Sequence, residues 1–168
     1  MNDLLFTVGP VEMFEETKEI GIKQLPYFRT KEFSEVNNRI AENFRTLLKT
    51  DTESKVALLT ASGTAAMEAA VLSTFSKNDK ILVIVGGEFG KRFAEICRIY
   101  HLNYEILLLE RGKTLDEIDL KKYLHTGITG ILVNLHETST GVLYHGKLLG
   151  DFSRRIGAIL VVDAISTF

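Results

Sequence analysis

Five short runs of unbroken apolar residues recur along this chain: "VALLTAS" (Val56 to Ser62), "ILVIVGG" (Ile81 to Gly87), "YEILLLE" (Tyr104 to Glu110), "GILVNLH" (Gly130 to His136) and "ILVVDA" (Ile159 to Ala164). A strand with one wet face alternates apolar and polar residues. An unbroken run is buried on both faces, as in a mostly parallel sheet covered on each side. Helix-forming stretches separate the runs. "GTAAMEAAVLSTF" is rich in good helix formers. "FGKRFAEICRIYH" sets Phe89, Phe93, Ile96, Cys97 and Tyr100 on one face. "TLDEIDLKKYL" opens on Thr114 with acids early and lysines late, and "KLLGDFSRRIG" stops at Gly157. The alternation predicts an α/β fold, a mostly parallel sheet with flanking helices and right-handed crossovers.

The start of the chain reads differently. Residues 1–33 hold both prolines, Pro10 and Pro26, and predict an extended arm with one short helix. "FSEVNNRIAENFRTLLKT" then places Val36, Ile40, Phe44, Leu47 and Leu48 on one helical stripe. Residues 34–168 form the α/β part.

Composition narrows the function classes. The net charge is −2 and the 20 Lys and Arg are scattered, so no basic footprint for nucleic acid emerges. No apolar run reaches the roughly 20 residues of a membrane span, and "MNDLLFTVGP" lacks the pattern of a signal peptide. A cytoplasmic setting is expected. Cys97 is the single cysteine, has no internal disulfide partner, and is expected to be packed.

In open α/β sheets ligands sit beyond the carboxyl ends of the strands. Ser62-Gly63-Thr64 opens a helix, and such a start either binds an anion such as phosphate or is simply capped by its hydroxyls. Phe89, in "GGEFGKRF", either stacks on a flat ring or faces the core. "HETSTG" offers the hydroxyls of Thr138, Ser139 and Thr140, or is a polar turn into Gly141. His136 and Glu137 invite a metal, yet no H-E-x-x-H follows and no Cys partner is present, so no metal is expected. Asp163 ends an apolar strand, where a carboxylate must be paired or hydrogen-bonded. Facing a ring nitrogen, it would favour the protonated form, as in pyridoxal phosphate chemistry. Together these positions suit one flat, phosphorylated, nitrogen-containing cofactor.

In this order, "LLFTVGPVEM", "FRTKEF", "ASGTAAMEAA", "GGEFGKR", "HETSTGVL" and "LVVDAISTF" resemble the class V aminotransferases, pyridoxal phosphate enzymes of fold type I. The similarity is to the subgroup of 2-aminoethylphosphonate–pyruvate and alanine–glyoxylate/serine–pyruvate transaminases, and covers the whole chain. It implies pyridoxal 5'-phosphate as cofactor, held at its phosphate by Ser62, Gly63 and Thr64. Phe89 matches the stacking position, Thr138 the hydroxyl near the phenolic oxygen, Asp163 the partner of the ring nitrogen and Ile165 the apolar contact on the ring's other face. Gly9, Pro10 and Arg29 match segments near the substrate. The resemblance further implies an amino donor, a 2-oxo acid acceptor and a homodimer.

One departure matters. The family's Schiff-base lysine follows the aspartate strand, whereas the last lysine here is Lys147. The small C-terminal domain is also missing. The expectation is therefore an incomplete large domain, the N-terminal portion of a longer transaminase, inactive alone. The alternative is a non-catalytic fragment or a module for dimerisation or cofactor binding. A P-loop enzyme is disfavoured: "GGEFGKR" is one residue short of the phosphate loop and carries Arg92 where Ser or Thr belongs.

Overall fold

The computed structural model describes residues 4–5 and 11–167, which divide into two compact units with the boundary between Thr60 and Ala61. In the first unit, α1 spans Glu15–Gly21 and α2 spans Lys31–Leu48. The Thr30 hydroxyl caps α2 by accepting from the Phe33 N–H at 3.3 Å, and Lys49 ends it in the left-handed conformation at φ 53°. The expected stripe is only partly covered. Val36 and Ile40 are half-buried, while Phe44, Leu47 and Leu48 are exposed.

The first expected strand is a correction. Val56–Ser62 forms no strand, and Leu58 and Leu59 are exposed. An apolar run becomes a strand only by pairing, and none of the described strands pairs with this one.

The second unit contains α3 (Gly63–Thr74), β1 (Lys80–Val85), α4 (Glu88–Ile99), β2 (Asn103–Leu108), α5 (Glu117–Lys121) and β3 (Gly130–Asn134). A small hairpin follows, β4 (His136–Glu137) with β5 (Val142–Leu143), then α6 (Gly146–Ile156) and β6 (Ile159–Asp163). The main sheet runs β2-β1-β3-β6 with every pairing parallel. Helix α5 is shorter than the expected stretch from Thr114. Its cap is Asp116 rather than Thr114: the Asp116 carboxylate accepts from Ile118 N–H and Asp119 N–H, and Asp119 returns a bond to the Asp116 N–H. A carboxylate at this position also suits the helix dipole, which a threonine cannot do.

Period-two geometry divides the apolar strands between two cores. Leu82 and Ile84 of β1 join Ile131 and Val133 of β3 beneath Leu120, Leu149 and Phe152. Ile81, Val83 and Val85 join Leu132 beneath Met67, Val71, Phe93 and Cys97. Both faces of β1 and β3 are therefore dry, as their unbroken runs require.

Two buried details are testable. A Cβ on Gly130 would fall on the Phe75 ring, its Cζ only 2.5 Å away. Gly130→Ala is expected to destabilise by about 1–3 kcal/mol in urea unfolding, and to be nearly neutral in a Phe75→Leu background, where the ring is gone. Burial pushes the Cys97 thiol from 9.0 up to about 11. A raised acid keeps its full contribution to stability below the unfolded value and loses it as pH rises towards the folded one. Between pH 9 and 11 the chain should therefore lose stability more steeply than Cys97→Ala.

Candidate functional site

After β1 the chain crosses to one side to form β2, and β3 returns on β1's other side. The carboxyl ends of β1 and β3 thus border a topological switch point. At the end of β1, Gly87 begins α4 and has no side chain to cap it. Glu137, at the end of β4 and 0% exposed, supplies the cap instead. Its Oε1 accepts from Phe89 N–H at 3.2 Å and its Oε2 from Gly90 N–H at 3.0 Å. The Ser139 hydroxyl donates to Glu137 Oε1 at 2.7 Å, and its oxygen accepts from Glu88 N–H at 3.0 Å. A buried negative charge is thereby satisfied at the positive end of a helix.

Glycine makes this approach possible. A Cβ on Gly87 would lie 2.5 Å from Glu137 Cδ and one on Gly90 2.6 Å from the Ile84 carbonyl, while one on Gly86 would fall on the Tyr144 hydroxyl. Burial first, and the Glu137 charge second, push that tyrosine up to about 12.

The parallel register sets Asn134 beside Asp163 at the ends of β3 and β6. Asn134 Nδ2 donates to Asp163 Oδ2 at 2.9 Å, and Ile165 N–H donates to Oδ1 at 3.1 Å. Asn134 is buried, and its own Oδ1 has no partner among the described residues. In the turn after β6, Ser166 lies 2.8 Å by its hydroxyl from that of Thr138, and its carbonyl 3.2 Å from His136 Nδ1.

At the start of α3 the Ser62 hydroxyl accepts from Ala65 N–H at 3.2 Å, a true cap. The N–H groups of Gly63 and Thr64 belong to the first turn, which leaves them without intrahelical partners. The Thr64 hydroxyl accepts from Arg92 at 3.0 Å, and the same guanidinium lies 5.1 Å from the centre of the Phe89 ring. A cavity of about 210 Å³ opens beside this helix start. Gly63, Ala66, Met67 and Phe93 line one part, and Val161 to Ile165 line the other.

Of the residues singled out in the sequence, Gly63, Asp163 and Ile165 line that one cavity, with Ser62 and Thr64 adjoining Gly63 in sequence. Phe89 is half-buried and lies beneath Arg92. Thr138 sits in the turn after β4, joined to Ser166. Arg29 lies in the first unit, its guanidinium 5.2 Å from the Phe28 ring centre. Gly9 and Pro10 lie outside the described residues. No cluster of three or more metal-ligating side chains occurs among the described residues.

Sequence reasoning missed Arg92, Asn134 and the work of Glu137. Asn134 had a visible signal, being the one polar side chain within strand β3, as Asp163 is in β6. Glu137 is the one acid within a hydroxyl-rich turn, but its partner helix lies 47 residues upstream. No local pattern announces such a contact.

The match to the family Aminotransferase class-V runs over residues 23–168. The chain belongs to the class V aminotransferase family. Among curated relatives of this class V chain, the soluble hydrogenase 42 kDa subunit of Anabaena cylindrica is 33% identical, over 98% of this chain and 44% of the relative. The 2-aminoethylphosphonate–pyruvate transaminase of Bacteroides fragilis is 31% identical, over 98% and 46%. Among solved structures, a subgroup IV aspartate aminotransferase of Thermus thermophilus superposes with a TM-score of 0.87 at 32% identity, covering 98% of this chain and 47% of that one. The class V chain thus spans less than half the length of these relatives, and its α/β fold, a mostly parallel sheet with flanking helices, is that of the fold type I aminotransferases.

The cap geometry gives a direct test. Gly87→Ala forces a methyl against Glu137 and Ser139 and should lower stability by about 1–3 kcal/mol in denaturant unfolding. Ser139→Ala removes one of the two obstructing groups, so the two substitutions together should cost less than the sum of their separate effects.

Proposed function

We propose that the complete protein is a pyridoxal-phosphate-dependent transaminase that moves an amino group between a small amine or amino acid and a 2-oxo acid. The present chain is then an N-terminal portion supplying part of the cofactor cradle. The observation that carries this reading is the shared cavity between the α3 start, at Gly63, and the β6 end, at Asp163 and Ile165.

The donor set suits the cofactor. The first-turn N–H groups of α3 favour a phosphate. The space before Gly63 is open, with nothing within 4 Å of where a Cβ would stand. Ala66, Met67, Ala70 and Val161 give the apolar walls a flat ring needs, and Asp163 supplies a carboxylate among them. Ser62, Gly63 and Thr64 would hold the phosphate, Phe89 one ring face and Ile165 the other, with Thr138 near the phenolic oxygen. Gly9, Pro10 and Arg29 would serve the substrate region.

When bound, pyridoxal phosphate supplies an electron sink for the carbon bearing the amino group. Asp163 would keep a proton on the ring nitrogen, because a carboxylate favours the cationic form of a base beside it. Asn134 and the Ile165 N–H orient that carboxylate. The chain carries no lysine after Lys147, so the amine that would hold the cofactor covalently is not among its residues. Residues 1–33 would form an arm and residues 34–168 a partial large domain of a cytoplasmic homodimer. No helix among the described residues is long and apolar enough to cross a membrane.

Asp163→Asn tests the reading cleanly. Ile165 N–H keeps its acceptor, and Asn134 can turn its unpartnered Oδ1 towards the new amide. In calorimetric titration the chain should bind pyridoxal 5'-phosphate, and the variant should bind about 10- to 100-fold more weakly, the loss of one charge-assisted hydrogen bond. No transaminase turnover is expected from the 168-residue chain itself. Absence of binding, or equal binding by the variant, would reject the reading.

A further inference from the structure

Glu137 is a buried carboxylate that the proposed chemistry leaves unused. It forms no ion pair with any lysine or arginine among the described residues. Its charge is met by donors alone: two α4 amides, the Ser139 hydroxyl at 2.7 Å and the Ser139 N–H at 3.4 Å. The two amides belong to Phe89 and Gly90, the peptide groups on either side of the Phe89 Cα. Fixing both planes fixes the direction in which the Phe89 side chain leaves the backbone. The glycines at 86, 87 and 90 press the segment against Tyr144, Glu137 and the β1 backbone, which leaves little room for another path.

We infer that Glu137 is a positioning residue, whose carboxylate sets the place of the Phe89 ring and through it the cofactor's stacking face. The inference rests on the cofactor reading above, but its first half concerns the ring alone. The acidic residue of "HETSTG" and the aromatic residue of "GGEFGKR" then act as one device assembled across the β1–β3 switch point. Arg111 ties the same turn from outside, donating to the Ser139 carbonyl at 3.1 Å.

Glu137→Gln keeps the volume but replaces one acceptor oxygen with a donor, so that one of the two α4 amides faces an N–H. Two readouts apply. With fluorophenylalanine incorporated, the Phe89 resonance, assigned by its loss in Phe89→Leu, should be a single sharp line in the chain and broadened or split in Glu137→Gln. Affinity for pyridoxal 5'-phosphate should fall about tenfold in Glu137→Gln, yet less than about twofold when the same change is made in Phe89→Ala, because coupled residues are not additive. Should Glu137→Gln fail to fold, Ser139→Ala weakens the same grip and should show both effects at about threefold. An unchanged fluorine line with unchanged affinity, or affinity losses that multiply across the two sites, would overturn the inference and leave Glu137 a structural cap. A chain that binds no cofactor but shows the expected fluorine change would reject the cofactor reading and the stacking half of the inference, while upholding Glu137's hold on the ring.

Discussion

The parallel pairing of β1 with β3 is the constraint on which the second unit depends. Each strand has its other neighbour on its far side, β2 for β1 and β6 for β3, so the two central strands expose no edge. With both edges paired and both faces dry, nothing polar is tolerated along Ile81–Val85 or Ile131–Val133. Polar chemistry is displaced to the carboxyl ends of the strands. There the backbone leaves the sheet, and connections that run to opposite sides of β1 create space. The same pairing brings the Gly-rich start of α4 beside the β4–β5 turn. Asp163 reaches the same end of the sheet because β6 takes its register from β3.

What the sequence made legible follows from local physics. Unbroken apolar runs gave the four strands of the sheet to within one or two residues, but two-sided burial explains the pattern only for β1 and β3; the outer strands β2 and β6 leave Ile106, Leu108, Ile159 and Val162 exposed. Gly157, at φ 69°, ends α6 as its position implied. Ser62 capped its helix because a hydroxyl three residues before an N–H needs no distant help. The misses are equally physical. Val56–Ser62 has the composition of a strand but no ladder among the described residues, and pairing is a non-local property. Thr114 lost to Asp116 because a carboxylate both caps and complements the dipole. Glu137 was legible only as half of a rejected metal pair with His136, because the helix it caps is remote in sequence.

Membership of the class V aminotransferases and the site geometry bear on different levels. The family accounts for the sheet, its crossovers and the order of the motifs. The residues at the strand ends account for what could be held there: hydroxyls and free amides on one side of a cavity, a doubly hydrogen-bonded carboxylate on the other. Arg92 joins two of the motifs directly, touching the hydroxyl of one and the ring of the next. The guanidinium can only donate, so Thr64 must accept from it, and its own proton is left to point elsewhere.

The three glycines of residues 86–90 have a consequence for how this segment can change over evolutionary time. Most positions in a protein have neutral neighbours: alanine for serine, or valine for isoleucine. At 86, 87 and 90 even the smallest side chain collides with a hydroxyl, a carboxylate or the strand backbone. Substitution there requires a simultaneous change in a partner some 50 residues away, or in the sheet itself. Such a segment drifts slowly for steric reasons alone, whether or not it touches a ligand.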